Sequence, residues 1–90
     1  MGKPQSPKLQ QVQSPEMAFG IVLRNARKRC GLNQDALAFK AGYHRNYISQ
    51  LERGEKSPSL RPIVNVASVV EESPSGMLRK MERLLKASRS

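Results

Sequence analysis

The sequence predicts one small all-α domain of five helices, two of which form a helix-turn-helix. A chain of 90 residues is short for more than one domain, since a typical domain has about 100–150 residues. Apolar residues recur at intervals of three and four in successive segments, which is the spacing of amphipathic helices. Residues that begin and end helices separate these segments.

The first helix is predicted to begin at Ser14-Pro15-Glu16, because Ser caps free backbone N–H groups, Pro suits the first helical position and Glu complements the helix dipole. It is expected to end at Gly31. Its inward face has helical spacing and consists of Phe19, Val22, Leu23, Ala26 and Cys30.

The second and third helices follow closely. Asn33 is expected to cap a helix from Gln34 to Ala41, and Gly42 ends it. The third helix begins at once, with Ile48 and Leu51 inward, and stops at Gly54. Two helices joined by so short a turn cross steeply, as in a helix-turn-helix.

Ser59 is expected to cap the fourth helix, and Ser73-Pro74 is expected to begin the fifth. The fourth has Pro62 in its first turn, where a missing N–H is tolerated. Its predicted inward residues are Leu60, Ile63, Val64, Ala67 and Val70. The apolar stripe of the fifth is Met77, Leu78, Met81, Leu84 and Leu85.

The chain is expected to divide into three parts. Residues 1–13 are predicted to be a flexible basic arm, because Leu9 and Val12 supply too little apolar surface to offset the entropy of ordering. Residues 14–78 are predicted to form the helix-turn-helix domain. Residues 79–90 extend the fifth helix and are predicted to mediate dimerisation.

Charge and composition indicate the partner. The formal net charge of +9 attracts polyanions, among which nucleic acid is the leading candidate. Two Phe, two Tyr and no Trp provide few stacking surfaces, which argues against a single-strand reader. One Cys and one His exclude a disulfide scaffold and a four-ligand zinc finger. No apolar stretch approaches the roughly 18 residues of a spanning helix, so a cytoplasmic protein is expected.

The outward face of the third helix is a candidate for reading base pairs. With Ile48 and Leu51 inward, the helical period turns the opposite polar residues toward the major groove, where Arg pairs with guanine and Asn or Gln with adenine. The alternative is an ordinary solvated face. The predicted base-reading residues are Arg45, Asn46, Ser49 and Gln50.

Residues around this helix are candidates for DNA phosphate binding. Gln34 begins the second helix, where free N–H groups and the positive dipole end favour a phosphate. Capping by itself accounts for Asn33, and a charged loop is often merely solvated. The predicted phosphate-binding residues are Asn33, Gln34, His44, Tyr47, Arg53, Lys56 and Ser57.

Several segments at fixed separations resemble the Cro/CI, or xenobiotic-response-element, helix-turn-helix family. The similarity covers about Met17 to Leu78 and lies in Phe19-Gly20-Ile21-Val22-Leu23-Arg24, Arg27-Lys28, Gly31-Leu32-Asn33-Gln34, Leu37-Ala38, Tyr47-Ile48-Ser49-Gln50-Leu51-Glu52-Arg53-Gly54 and Ser57-Pro58-Ser59-Leu60.

The resemblance implies a lambda-repressor-like domain that binds operator DNA, usually as a two-fold dimer. It implies a phosphate contact for Gln34 and base contacts for Arg45, Asn46 and Gln50. It also implies a partly buried ion pair between Arg27 and Glu52, whereas the sequence by itself indicates a solvated glutamate.

Two positions depart from the family pattern. His44 stands where relatives often have Ser or Thr as a cap, so the cap is expected to be weaker or to be exchanged for a phosphate contact. Val70-Glu71-Glu72 replaces the Leu-Gly step that commonly ends the fourth helix, which leaves the entry angle of the fifth helix open.

The predicted function is a homodimeric transcription regulator that binds a specific two-fold-symmetric DNA site. The short chain also resembles the small controller proteins of restriction–modification systems. No poised nucleophile, acid–base pair or metal cluster is evident, so no catalysis, cofactor, metal or small-molecule ligand is expected.

The alternative function is an antitoxin-like or adaptor protein whose main partner is a protein, such as a toxin or a polymerase. The extended stripe of the fifth helix is predicted to form the dimer contact, since it continues past the region of family similarity. The alternatives are that it covers the core of the domain or lies on a membrane surface. The predicted dimerisation residues are Met77, Met81, Leu84 and Leu85.

Overall fold

The computed structural model describes Val12 and residues 14–89, and in them five α-helices and no strands. The helices are α1 (Pro15–Arg29), α2 (Gln34–Ala41), α3 (Arg45–Glu52), α4 (Leu60–Val69) and α5 (Pro74–Arg89). The predicted all-α class and the order of the helices are confirmed.

Side-chain caps hold most of the helix starts. Ser14 Oγ accepts from the Met17 N–H at 3.1 Å, and Asn33 Oδ1 accepts from the Ala36 N–H at 2.7 Å. Ser73 Oγ accepts from the Gly76 N–H in the same way. Ser59 precedes α4 but its side chain makes no cap hydrogen bond, which differs from the prediction.

α1 packs against α3 and α5, α2 packs against α3 and α4, and α4 also contacts α5. The core contains side chains from all five helices, among them Leu23, Leu37, Ile48, Val66 and Met77. This packing leaves one face of the α2–α3 pair in solvent.

The inward face of α4 was predicted correctly for Ile63, Ala67 and Val70 but incorrectly for Leu60 and Val64, and Val66 was missed. Leu60 and Val64 are 79% and 52% exposed, whereas Val66 is completely buried. Apolar residues surround most of this helix, so their spacing fits more than one inward face. Contacts with α2 and α5 select the face that contains Val66, Ala67 and Val70.

The junction between α4 and α5 contains the departure from the family pattern. Glu71 adopts a φ of 60° at the end of α4, a left-handed conformation usually taken by glycine. The Cys30 thiol donates to the Val70 carbonyl oxygen at 3.2 Å, which ties the end of α1 to this junction.

The predicted N-terminal arm lies mostly outside the described residues. Val12 is the exception, and its side chain is buried. At this one position the chain is packed against the domain, and the flexible arm predicted for residues 1–13 otherwise stays a prediction.

Candidate nucleic-acid interface

The turn between α2 and α3 presents α3 to solvent along one side. Gly42 has a φ of 84°, and this left-handed conformation lets the chain reverse direction directly after α2. Ile48 and Leu51 are buried and anchor the inner face of α3. The opposite face is therefore held outward.

The four predicted base-reading residues share that outward face. Arg45 and Asn46 are exposed, and Ser49 and Gln50 are half-buried one turn further along. The major groove of B-DNA is wide enough to admit an α-helix with such a polar face.

Two of the outward groups already have protein partners. Arg45 lies 3.5 Å from Asp35 in an exposed ion pair. Arg53 donates to the Ser49 hydroxyl and forms two hydrogen bonds with the Glu55 carboxylate, at 2.7 and 3.1 Å. Exposed pairs contribute little free energy, so these arginines can exchange the pairs for phosphate or base contacts.

Gln34 points into the fold at the start of α2. Its amide Nε2 donates to Glu52 Oε1 at 2.9 Å, so this group is engaged by the protein itself. Asn33 uses its side-chain oxygen to cap Ala36. At the start of α2, the backbone N–H groups are therefore more available to a ligand than the side-chain amide of Gln34 is.

Arg27 and Glu52 form a bidentate ion pair beneath this surface. Arg27 Nε and Nη2 donate to the two carboxylate oxygens at 2.6 and 2.9 Å, and Nη1 donates to the Leu32 carbonyl oxygen. The side chains are only 10% and 3% exposed. The hydrogen bonds to the carboxylate raise the pKa of Arg27 above its usual value.

The remaining predicted phosphate-binding residues surround α3. His44 is exposed and makes no side-chain cap hydrogen bond, as the departure from Ser or Thr led us to expect. Tyr47 is half-buried against Tyr43, with ring centroids 5.1 Å apart, and desolvation raises the pKa of its hydroxyl. Lys56 and Ser57 are exposed in the loop after α3. All four lie next to the outward face.

Sequence reasoning missed two contacts that hold this surface in shape. The Tyr43 hydroxyl accepts from Asn65 Nδ2 at 2.9 Å and links the turn to α4. A Cβ on Gly20 would lie 2.5 Å from the Leu51 carbonyl oxygen, so only glycine lets α1 approach α3 this closely. The phenylalanine–glycine pair in the family pattern was the available signal for the second contact.

Met77 belongs to the core of its own protomer. Its side chain is 0% exposed, so it cannot contact a second copy, and the prediction that Met77 mediates dimerisation is wrong. Met81 and Leu84 are partly buried and pack against the same core, and Leu85 is half-buried. The stripe of α5 is used mainly within the domain because it covers α1.

The described part of the chain contains neither a candidate metal site nor a helix that could span a membrane. No group of three or more His, Cys, Asp or Glu residues there could hold a metal ion. None of its helices is long and apolar enough to cross a membrane.

A helix-turn-helix whose second helix is anchored inward and polar outward defines a DNA-binding protein. A helix-turn-helix family model matches residues 23–77, and the chain belongs to this XRE-type family. Members of the family are DNA-binding transcription regulators and not enzymes, as predicted.

Similar proteins include controllers of restriction–modification systems. The control protein C.BamHI of Bacillus amyloliquefaciens is 33% identical over 63 residues, which are 69% of this chain and 78% of that protein. The restriction–modification controller protein C.AhdI of Aeromonas hydrophila is 36% identical with a TM-score of 0.66, over 68% of this chain and 92% of that one.

A larger part of the fold is shared with another regulator. The clp gene regulator ClgR of Corynebacterium glutamicum is 25% identical with a TM-score of 0.81, over 84% of this chain and 81% of that one.

Proposed function

We propose that this protein regulates transcription as a homodimer that binds a specific two-fold-symmetric DNA site. The observation that carries the proposal is the outward face of α3, where Arg45, Asn46, Ser49 and Gln50 stand opposite the buried Ile48 and Leu51. The similarity to C.BamHI and C.AhdI supports control of a restriction–modification system as its role. It would act on DNA in the cytoplasm, at the nucleoid.

The phosphate contacts would come from both sides of α3. The free N–H groups at the start of α2, with Asn33 beside them, face the backbone on one side. Arg53, Lys56 and Ser57 in the following loop serve the other side, and His44 and Tyr47 add donors between them. Gln34 would hold the start of α2 in position through its hydrogen bond to Glu52, in addition to any contact that it makes with a phosphate.

The homodimer would use apolar side chains that the protomer leaves uncovered. Leu60 and Val64 are exposed on α4, and Leu78 is 38% exposed on α5. Ile63 of α4 and Leu78 of α5 line the same groove. Because Leu60 lies one turn before Ile63 on the same face of α4, α4 and α5 together present one apolar surface. Of the four dimerisation residues predicted from sequence, Met81 lines this groove, and Met81 and Leu85 line a second groove beside Leu78.

Selection of bound duplexes from a random DNA library tests the proposal. The selection should be run at about 150 mM salt, which weakens purely electrostatic binding. We expect enrichment of a two-fold-symmetric site with half-sites about 10–10.5 base pairs apart. If folded protein enriches no sequence, the regulator proposal fails and the antitoxin-like or adaptor function becomes the better account.

Two glutamine variants distinguish a residue that reads a base from one that contributes to binding at every DNA site. Gln50→Ala should reduce discrimination at one base position by about 1–3 kcal/mol, because Gln pairs with adenine through two hydrogen bonds. Gln34→Ala should weaken binding to all sites alike. Affinities for the selected site and for single-base variants measure both effects, with Ser68→Ala as an exposed control on α4. Identical behaviour of the two variants would contradict these roles.

A further inference from the structure

A groove of about 590 Å³ runs between α1 and α5 and plays no part in the proposed DNA contacts. Its floor is apolar and its rim is cationic. The residues that matter are Val22, Leu84 and Ala87 on the floor and Arg29, Lys80 and Arg83 on the rim.

The rim has more positive than negative charge. Arg29 and Lys80 both bind the Glu72 carboxylate, at 2.5 and 3.0 Å, so one acid serves two cations. Arg83 has no acidic partner among the described residues. The side chains of Arg29 and Lys80 are 55% and 40% exposed, which leaves their remaining N–H groups available to an incoming anion.

The groove lies on the far side of α1 from the recognition helix. Gly20 and Arg27 face α3, and the helical period of about 3.6 residues puts Asn25 and Arg29 on the opposite side of α1. The groove shares no lining residue with the Leu78–Leu85 groove of the proposed dimer surface. A ligand could therefore occupy it while the protein is dimeric and bound to DNA.

We propose that this groove docks an acidic amphipathic helix of a partner protein. The apolar floor between α1 and α5 accepts a helix of the partner, whose apolar residues pack on Val22, Leu84 and Ala87. Its carboxylates pair with Arg29, Lys80 and Arg83. A second copy of this chain is a poor occupant, because its formal net charge of +9 opposes a cationic rim.

Binding of designed peptides to the free full-length protein tests the proposal without any reference to DNA. The probe is a labelled helical peptide of about 16 residues with Leu at positions i, i+4, i+7 and Glu on both flanks. A second peptide has the same charge but Gln in place of each Leu. Fluorescence anisotropy measures the affinity, and vesicles of phosphatidylglycerol form a parallel arm.

Matched substitutions identify the site. Arg83→Glu and Ala87→Glu should each weaken binding of the Leu–Glu peptide by about tenfold or more, which equals about 1.4 kcal/mol. Arg61→Glu makes the same charge change as Arg83→Glu at an exposed position on α4 and should alter affinity less than about twofold. Circular dichroism checks that all three variants fold.

Three results would overturn the proposal. Equal losses in Arg83→Glu and Arg61→Glu would mean general charge attraction, and equal affinity for the Gln peptide would mean that the apolar floor is unused. Binding to the anionic vesicles without binding to the peptide would identify a lipid surface as the ligand. None of these outcomes depends on whether the protein binds an operator.

Discussion

Glu52 connects three helices through one buried carboxylate. It accepts two hydrogen bonds from Arg27 of α1 and one from Gln34 of α2, and it is itself the last residue of α3. The Arg27–Glu52 ion pair therefore links the helices that carry the polar outward face of α3. Removal of one member would leave an uncompensated charge in a nearly dry site.

We expect Glu52→Ala to lower the free energy of unfolding by about 3–5 kcal/mol, because Arg27 remains buried without its carboxylate. The double variant Arg27→Met with Glu52→Leu should recover most of this loss, since it removes both charges and keeps the volume. Urea unfolding of the three proteins measures the difference.

The matched control is Glu55→Ala, which removes an exposed carboxylate from Arg53 and should leave the urea midpoint nearly unchanged. If Glu52→Ala were no more harmful than Glu55→Ala, the buried pair would not hold α1 against α3.

The close approach of α1 to α3 depends on a residue without a side chain. A Cβ on Gly20 would lie 2.5 and 2.6 Å from the Leu51 and Glu52 carbonyl oxygens, and backbone atoms cannot move aside as a flexible side chain can. The two helices would have to separate. That movement would also disturb the Arg27–Glu52 pair that spans them.

We predict that Gly20→Ala lowers the free energy of unfolding by about 1–3 kcal/mol, despite the better helix propensity of alanine. Lys28→Ala, at an exposed position of the same helix, should change stability by less than about 0.5 kcal/mol. Thermal and urea unfolding test this prediction. A stabilised Gly20→Ala protein would show that α1 and α3 can separate without cost.

The contact between α1 and α5 includes a titratable group. Hydrogen bonds from Lys80 and then Arg29 lower the pKa of Glu72 below its usual value of 4.5. A carboxyl group whose pKa is lowered by folding stabilises the folded state above its unfolded pKa. That stabilisation disappears as the pH falls through the lower, folded value.

We therefore expect Glu72→Gln to destabilise the protein at pH 7 by no more than about 1 kcal/mol, because the partners are solvent-exposed. The difference from the wild type should begin to shrink as the pH falls below about 4.5, where the unfolded chain takes up a proton, and it should disappear below the lower pKa of the folded state. Urea unfolding at pH 7, 5 and 3.5 measures the trend, and a difference independent of pH would contradict the role of charge.

The surfaces of the molecule differ in chemical character. The outward face of α3 is polar, the surface of α4 and α5 around Leu60 and Leu78 is apolar, and the α1–α5 groove has an apolar floor and a cationic rim. If each subunit of a dimer contacts about four phosphates, the log–log dependence of affinity on salt should have a slope near −7.

We predict that Leu60→Glu weakens self-association by about tenfold or more, because it introduces a charge at the centre of the proposed apolar contact. The control is Arg61→Glu, which changes the charge by a larger amount at the residue next to Leu60 and should leave dimerisation unchanged. Sedimentation velocity over a range of concentrations measures both. A Leu60→Glu protein that dimerises like the wild type would locate the dimer contact elsewhere.

The sequence by itself determined the class of the fold and most helix boundaries, because these depend on local signals. Ser14, Asn33 and Gly42 mark helix ends as predicted, since capping and left-handed turns involve only neighbouring residues. The outward direction of Arg45 and Asn46 also follows from the period of one helix once Ile48 and Leu51 are buried.

Only the tertiary structure decided the features that depend on which helices meet. It buried Val66 and exposed Leu60 and Val64, because a helix that is apolar on most sides has no inward face until its neighbours are in position. It also turned Gln34 toward Glu52 and enclosed Met77 within the protomer. These contacts join residues far apart in sequence, and no periodicity within a single helix encodes them.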